Sequence, residues 1–99
     1  MLKKKAMKNV NKTSVVFEIS GFEEADSICL VGAFNDWELN KHNLKQRKDG
    51  RWATTLRLDN DNRYEYRFVV DGTDWQSDPD ADALVPNEFG GINSVVALS

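Results

Sequence analysis

Two tryptophans stand out among the side chains able to do chemistry, because of where they fall. Trp37 closes the stretch "VGAFNDW" and Trp75 closes "VVDGTDW", each just beyond a polar turn and outside any alternating apolar stripe. A flat indole among hydrogen-bonding side chains suits a sugar ring: its face packs against the axial C–H groups while amides and guanidinium groups take the hydroxyls. Satisfied edge or interface residues give the same placement, so the tryptophans alone leave both readings open. Arg67 lies on the strand face opposite Tyr66 and Phe68, which puts a cation beside wherever the hairpin turn delivers Trp75.

Other chemistry is poorly served. His42 is the only histidine and lies in the polar stretch "NKHNLKQRKDG" with no serine or cysteine nucleophile beside it, so it is expected to be a solvated loop residue. A metal site built on histidines is excluded by that count. Asp78, Asp80 and Asp82 have the spacing that opens a calcium loop, yet the sixth position is Ala83 and the twelfth is Phe89, where a glycine and a bidentate glutamate belong. A solvated acidic loop is therefore expected, with no metal and no cofactor. Paired carboxylates for glycosidase chemistry need a cleft that separates their pKa values, and short loops on a small sandwich offer none. No catalytic residue is assigned. Cys29, the single cysteine, sits in the apolar run "SICLVG" with no cation nearby and is expected to be a buried small hydrophobe.

The elements that must position these residues are extended. "TSVVFEISG" places Val15, Phe17 and Ile19 on one parity; "GRWATTLRLD" does the same for Trp52, Thr54, Leu56 and Leu58, and "RYEYRFVVDG" for Tyr64, Tyr66, Phe68 and Val70. "DSICLVGAF" is apolar on both parities and is expected to be a central strand, and "NSVVAL" a last short one. Asp49-Gly50, Asp71-Gly72, Asp59 to Asn62 and Gly90-Gly91 supply turns. "ADALVPNEF" has room for one short helical turn before Pro86. About six to eight strands with turns every 8 to 12 residues or so predict an all-β, immunoglobulin-like antiparallel β-sandwich.

Lys3, Lys4, Lys5, Lys8 and Lys12 put five positive charges in the first twelve residues of a chain whose net charge is −3, leaving −8 on the rest. Residues 1–12 are expected to form a disordered basic tail and residues 13–99 the single domain. A body that acidic repels a phosphate backbone, which argues against nucleic acid. No apolar segment follows the lysines as in a signal peptide, and none approaches the roughly 20 residues of a membrane span. One cysteine and no intramolecular disulfide fit a cytoplasmic location.

In order along the chain, "VGAFNDW", "YRFVVDGTDW", "SDP" and "NEFGGINSVV" resemble the family 48 carbohydrate-binding module. That module is the early-set sandwich at the N-terminus of isoamylases and glycogen branching enzymes, and the glycogen-binding domain of the AMP-activated protein kinase β subunit. The resemblance covers roughly Val15 to Leu98 and implies a non-catalytic domain that binds α-1,4-linked glucan such as glycogen, starch or maltooligosaccharide. Carried over residue by residue, it implies that Trp37 and Trp75 stack on glucose units and that Arg67 and Asn93 bind hydroxyls. It also implies that Phe89 is pushed against the sugar. In this chain the hairpin reads "DGTDW", one residue longer than the shorter "DGxW" form, and a one-residue shift turns a side chain to the other face of a strand. Gly91 stands where the family carries a threonine, which removes one hydroxyl contact. The alternative function is a protein-interaction or regulatory module docking on a glycogen-metabolising enzyme. The expected state is a monomer or weak dimer.

Overall fold

The computed structural model describes residues 2–8 and 10–98. Alternating side chains build two facing sheets, since each strand has one apolar parity to bury. The strands are β1 (Leu2–Ala6), β2 (Lys12–Ile19), β3 (Ile28–Gly32), β4 (Lys45–Gln46), β5 (Trp52–Asp59), β6 (Asn62–Val70), β7 (Asp74–Gln76), β8 (Ala83–Pro86) and β9 (Ile92–Leu98). One sheet has the order β1-β2-β5-β4 and the other β3-β6-β9-β8, with β7 added beside β6. All pairs are antiparallel. The all-β, immunoglobulin-like sandwich is the architecture observed.

Between the sheets, Val15, Phe17, Trp52 and Leu58 meet Ile28, Leu30, Tyr66, Phe68 and Val96, all buried. The Phe17 and Tyr66 rings meet edge to face with centroids 5.0 Å apart, and Tyr66 and Phe68 do so at 6.0 Å. Trp52 is buried with its indole N–H donating to the Phe22 carbonyl at 3.0 Å, so the polar end of the ring is satisfied inside the core.

Three expectations are corrected. "DSICLVGAF" forms β3, which ends the strand order rather than occupying its centre. It is apolar on both parities because Ile28 and Leu30 face the core while Cys29 and Val31 are covered on the other side by Trp37. Its outer edge is partly paired, through Leu30 N–H to the His42 carbonyl and Leu44 N–H to the Ile28 carbonyl, each at 2.8 Å. "ADALVPNEF" contributes strand β8 instead of a helical turn, since Ala83–Pro86 pairs with Ile92–Val95 and Pro86 falls at its end.

The third correction concerns the basic head, whose Met1 and Asn9 lie outside the described residues. Leu2–Ala6 is not a loose tail but an edge strand on β2, with Lys3 opposite Val16 and Lys5 opposite Ser14. Lys3 Nζ lies 3.5 Å from buried Glu18, and Lys4 Nζ crosses to the other sheet, reaching Asp82 Oδ2 at 2.5 Å and the Ala97 carbonyl at 3.1 Å. These partners are distant in sequence, and composition cannot foresee them.

Burial acts to raise the Asp82 carboxyl, but hydrogen bonds from Lys4 and the Ala97 N–H outweigh it and hold Asp82 below its ordinary value of 3.8. A depressed carboxyl contributes stability above about pH 4, and that contribution is lost as pH falls through the lowered value. With both side chains one-third exposed, the pair is worth about 0.5 kcal/mol. Lys4→Ala is expected to lower the hydrogen-exchange protection of the β1 amides about twofold at neutral pH. Unchanged protection would show that main-chain pairing alone holds the strand.

Candidate functional site

The site lies where the second sheet forks. Along β6, Asn62–Tyr66 pairs with β9 and Phe68–Val70 pairs with β7, so β9 and β7 share one edge of β6 and diverge at Arg67. Ser77 Oγ donates to the Ile92 carbonyl at 2.5 Å and bridges the two branches. On the outer face of this fork is a depression of about 590 Å³ lined by Trp37, Trp75, Phe89, Arg67, Glu65, Asn87, Glu88 and Asn93. All five residues singled out in the sequence therefore line one concavity.

The extra residue of "DGTDW" does not turn Trp75 away. Val70 pairs with Asp74 across a three-residue turn in which Asp71 and Gly72 have φ of 52° and 78°, and Thr73 N–H donates to the Val70 carbonyl at 3.2 Å. The added residue is absorbed in the turn, so Trp75 stands opposite Val69, on the outer face shared with Arg67. Arg67 Nη2 donates to the Trp75 carbonyl at 3.1 Å, and its guanidinium carbon lies 5.6 Å from the indole centroid. Arg67 Nε is buried and makes no hydrogen bond among the described residues. Trp75 is 39% exposed and Phe89 88%, so two large apolar faces meet water here.

Trp37 reaches the same surface by a different route. After β3 the chain makes a 3-10 turn over Ala33–Asn35, then Asp36 and Trp37 both adopt positive φ, at 56° and 59°. A bulky residue in this region is strained by roughly 1–2 kcal/mol. Two interactions hold it there: Trp37 N–H donates to the Gly32 carbonyl at 3.0 Å, and the side chain packs on the buried cluster Cys29, Val31 and Val69. Buried Asn35 clamps the turn, accepting from Gly32 N–H at 3.0 Å and donating from Nδ2 to the Leu30 carbonyl and His42 Nδ1, both at 2.9 Å. His42 is thus a half-buried partner of this turn, with its ring also edge-on to Phe34, rather than the solvated residue expected.

The last loop carries Phe89 between β8 and β9. Asn87 Oδ1 accepts from the backbone N–H groups of Phe89 and Gly91, each at 2.9 Å, and Asn87 N–H donates to the Gly91 carbonyl at 2.9 Å. Asn87 Nδ2 donates to Asn93 Oδ1 at 3.2 Å, and Asn93 Nδ2 donates to Glu65 Oε1 at 3.1 Å. Asn93 is only 8% exposed, so it belongs to the floor of the depression and is already engaged on both ends of its amide. A Cβ on Gly91 would stand 3.0 Å from both Arg67 Nη1 and Asn87 Nδ2. The missing side chain makes room for the guanidinium to lie close beneath the loop.

Glu65, Asn87 and Glu88 were not anticipated. Glu65 shares parity with Arg67 two residues on, so the same alternation pointed to it; Asn87 offered only a turn-forming residue before "EFGG". The acidic loop also differs from expectation. Asp78 is buried, accepting from Tyr66 Oη at 2.8 Å and from Asp80 N–H at 2.9 Å, while Asp82 turns to Lys4 and Ala97, so the three carboxylates do not converge.

A sandwich with a shallow aromatic concavity at a sheet fork defines a class, the small surface-binding β module. The family model for the glycogen recognition site of AMP-activated protein kinase matches residues 13–99, and the chain belongs to that family. It is also similar to the 1,4-alpha-glucan branching enzymes GlgB 2 of Xanthomonas campestris pv. campestris strains 8004 and ATCC 33913, at 36% identity over 47 residues in each. Each match covers 46% of this chain and 6% of the enzyme, so the chain corresponds to a small part of those relatives.

Proposed function

We propose that the concavity between Trp37, Trp75 and Phe89 is where this glucan-binding module holds an α-1,4-glucan. The observation that carries the reading is the placement of two indoles, a projecting phenyl ring and the Arg67 guanidinium around one depression. Indole faces take the apolar faces of glucose units, and the guanidinium and amide groups take hydroxyls. Asn93 contributes from the floor, through the amide hydrogen and oxygen lone pair left over from its bonds to Glu65 and Asn87. An open site of this kind binds a short oligosaccharide weakly, on the order of 10 μM to 1 mM, and gains on a branched polymer from many ends presented together. In this reading the module acts by binding rather than by catalysis, and reducing-sugar release from glycogen is expected to stay at the buffer blank.

Electrophoresis in native gels containing glycogen tests this directly. The wild type is expected to be retarded, and retardation is expected to vanish when Trp37 and Trp75 are both replaced by alanine. An unretarded wild type, or equal retardation of the double variant, would remove the proposal.

A further inference from the structure

The concavity is built by several separate pieces of chain, and one unassigned residue joins two of them. Glu65 lies on β6, two residues before Arg67, while the Phe89 loop belongs to the connection between β8 and β9. The link is continuous. Glu65 Oε1 accepts from Asn93 Nδ2, Asn93 Oδ1 accepts from Asn87 Nδ2, and Asn87 Oδ1 accepts from the N–H groups of Phe89 and Gly91.

An amide has an acceptor at one end and donors at the other, and this polarity orders the chain. A carboxylate at the β6 end accepts only, so it fixes Asn93 with its nitrogen toward Glu65 and its oxygen toward Asn87. That orientation makes Asn87 present its own nitrogen to Asn93 and its oxygen to the loop amides. Were Asn93 to rotate, two nitrogens would face each other at the Asn87 contact, and if Asn87 rotated in turn to relieve that clash, the two loop N–H groups would meet its donor nitrogen. Hydrogen bonds to an ionised acceptor are the stronger kind, and they polarise the neutral ones that follow.

Resting on the glucan-binding reading above, we propose that Glu65 is a positioning residue. Its carboxylate, acting through Asn93 and Asn87, holds the 87–91 loop so that the 88%-exposed Phe89 ring meets the sugar opposite Trp37 and Trp75. An apolar ring on an untethered loop would lose conformational freedom on each binding event, and the relay removes that loss beforehand.

The test compares Glu65→Ala with Glu65→Gln, using maltoheptaose titrations followed by tryptophan fluorescence and amide hydrogen exchange at Phe89 and Gly91. Glu65→Ala is expected to weaken binding about three- to tenfold and to speed exchange at both amides. Glu65→Gln keeps an acceptor oxygen, and is expected to bind within about twofold of the wild type with exchange restored. Three results would overturn the inference: Glu65→Ala binding as the wild type does, weaker binding with unchanged exchange, or Glu65→Gln as impaired as Glu65→Ala. A wild type that fails to bind maltoheptaose would instead overturn the glucan site itself.

Discussion

Replacing Trp75 by alanine is expected to weaken maltoheptaose binding about 30-fold with little effect on folding. The ring is 39% exposed and stands on the outer face of a three-residue strand, so its removal opens no cavity in the core. A glucose face stacked on an indole takes on the order of 80 Å² of apolar surface out of water, worth about 2 kcal/mol at 25 cal/mol/Å². At 1.4 kcal/mol per tenfold, that is about 30-fold in Kd. Arg67 loses its aromatic partner, but its hydrogen bond runs to the Trp75 carbonyl, which alanine keeps. Titration calorimetry with the two proteins gives the ratio, and a change below threefold would show that Trp75 is not a platform.

Trp37 behaves differently because its backbone is strained and its underside is buried. Trp37→Ala is expected to abolish measurable binding and also to uncover Cys29, Val31 and Val69. Trp37→Gly should be the more stable of the two by roughly 0.5–1 kcal/mol, since glycine accepts the φ of 59° without steric cost. Urea unfolding of the pair isolates that strain from the loss of packing.

The second large effect is expected at Tyr66. Tyr66→Phe removes the hydroxyl that donates to Asp78 Oδ2 at 2.8 Å and leaves a carboxylate that is 1% exposed without that donor. Hydrogen bonds to charged groups are worth about 1.5–3 kcal/mol, so the variant should be about 2 kcal/mol less stable at pH 7. The gap carries a pH signature. Burial first, and then the Asp78 carboxylate, push the Tyr66 phenol above its ordinary value of 10.0. A group raised in the folded state contributes stability that is fully present below the unfolded value and is lost as pH rises beyond it. Above about pH 10 the wild type therefore loses about 1.4 kcal/mol per pH unit from this phenol. The phenylalanine variant has no such loss, and the two should converge by about pH 11.5. Denaturant unfolding of both proteins at pH 7, 9, 10.5 and 11.5 checks this, and a constant gap would contradict it.

Strand alternation is a local property, and so the sequence by itself determined the sandwich, the core placement of Trp52, Tyr66 and Phe68, and the turns at Asp49-Gly50 and Asp71-Gly72. It also marked Trp37 and Trp75 as exceptions, because each breaks the period that buries its neighbours. What depended on partners far along the chain was decided only by tertiary structure. The lysine-rich head is a strand because it pairs along β2, with Lys3 and Lys4 meeting Glu18 and Asp82; the buried Asp78 accepts from Tyr66. Whether Trp75 faced Arg67 turned on one extra residue, which the hairpin absorbs in its loop instead of passing into the register. The relay from Glu65 to the Phe89 loop exists because β6 and β9 pair, setting residue 65 opposite residue 95 and diagonally within side-chain reach of residue 93. Period and turn chemistry act over a few residues and can be read in one dimension, whereas charge pairing and amide orientation act across space and wait on the fold.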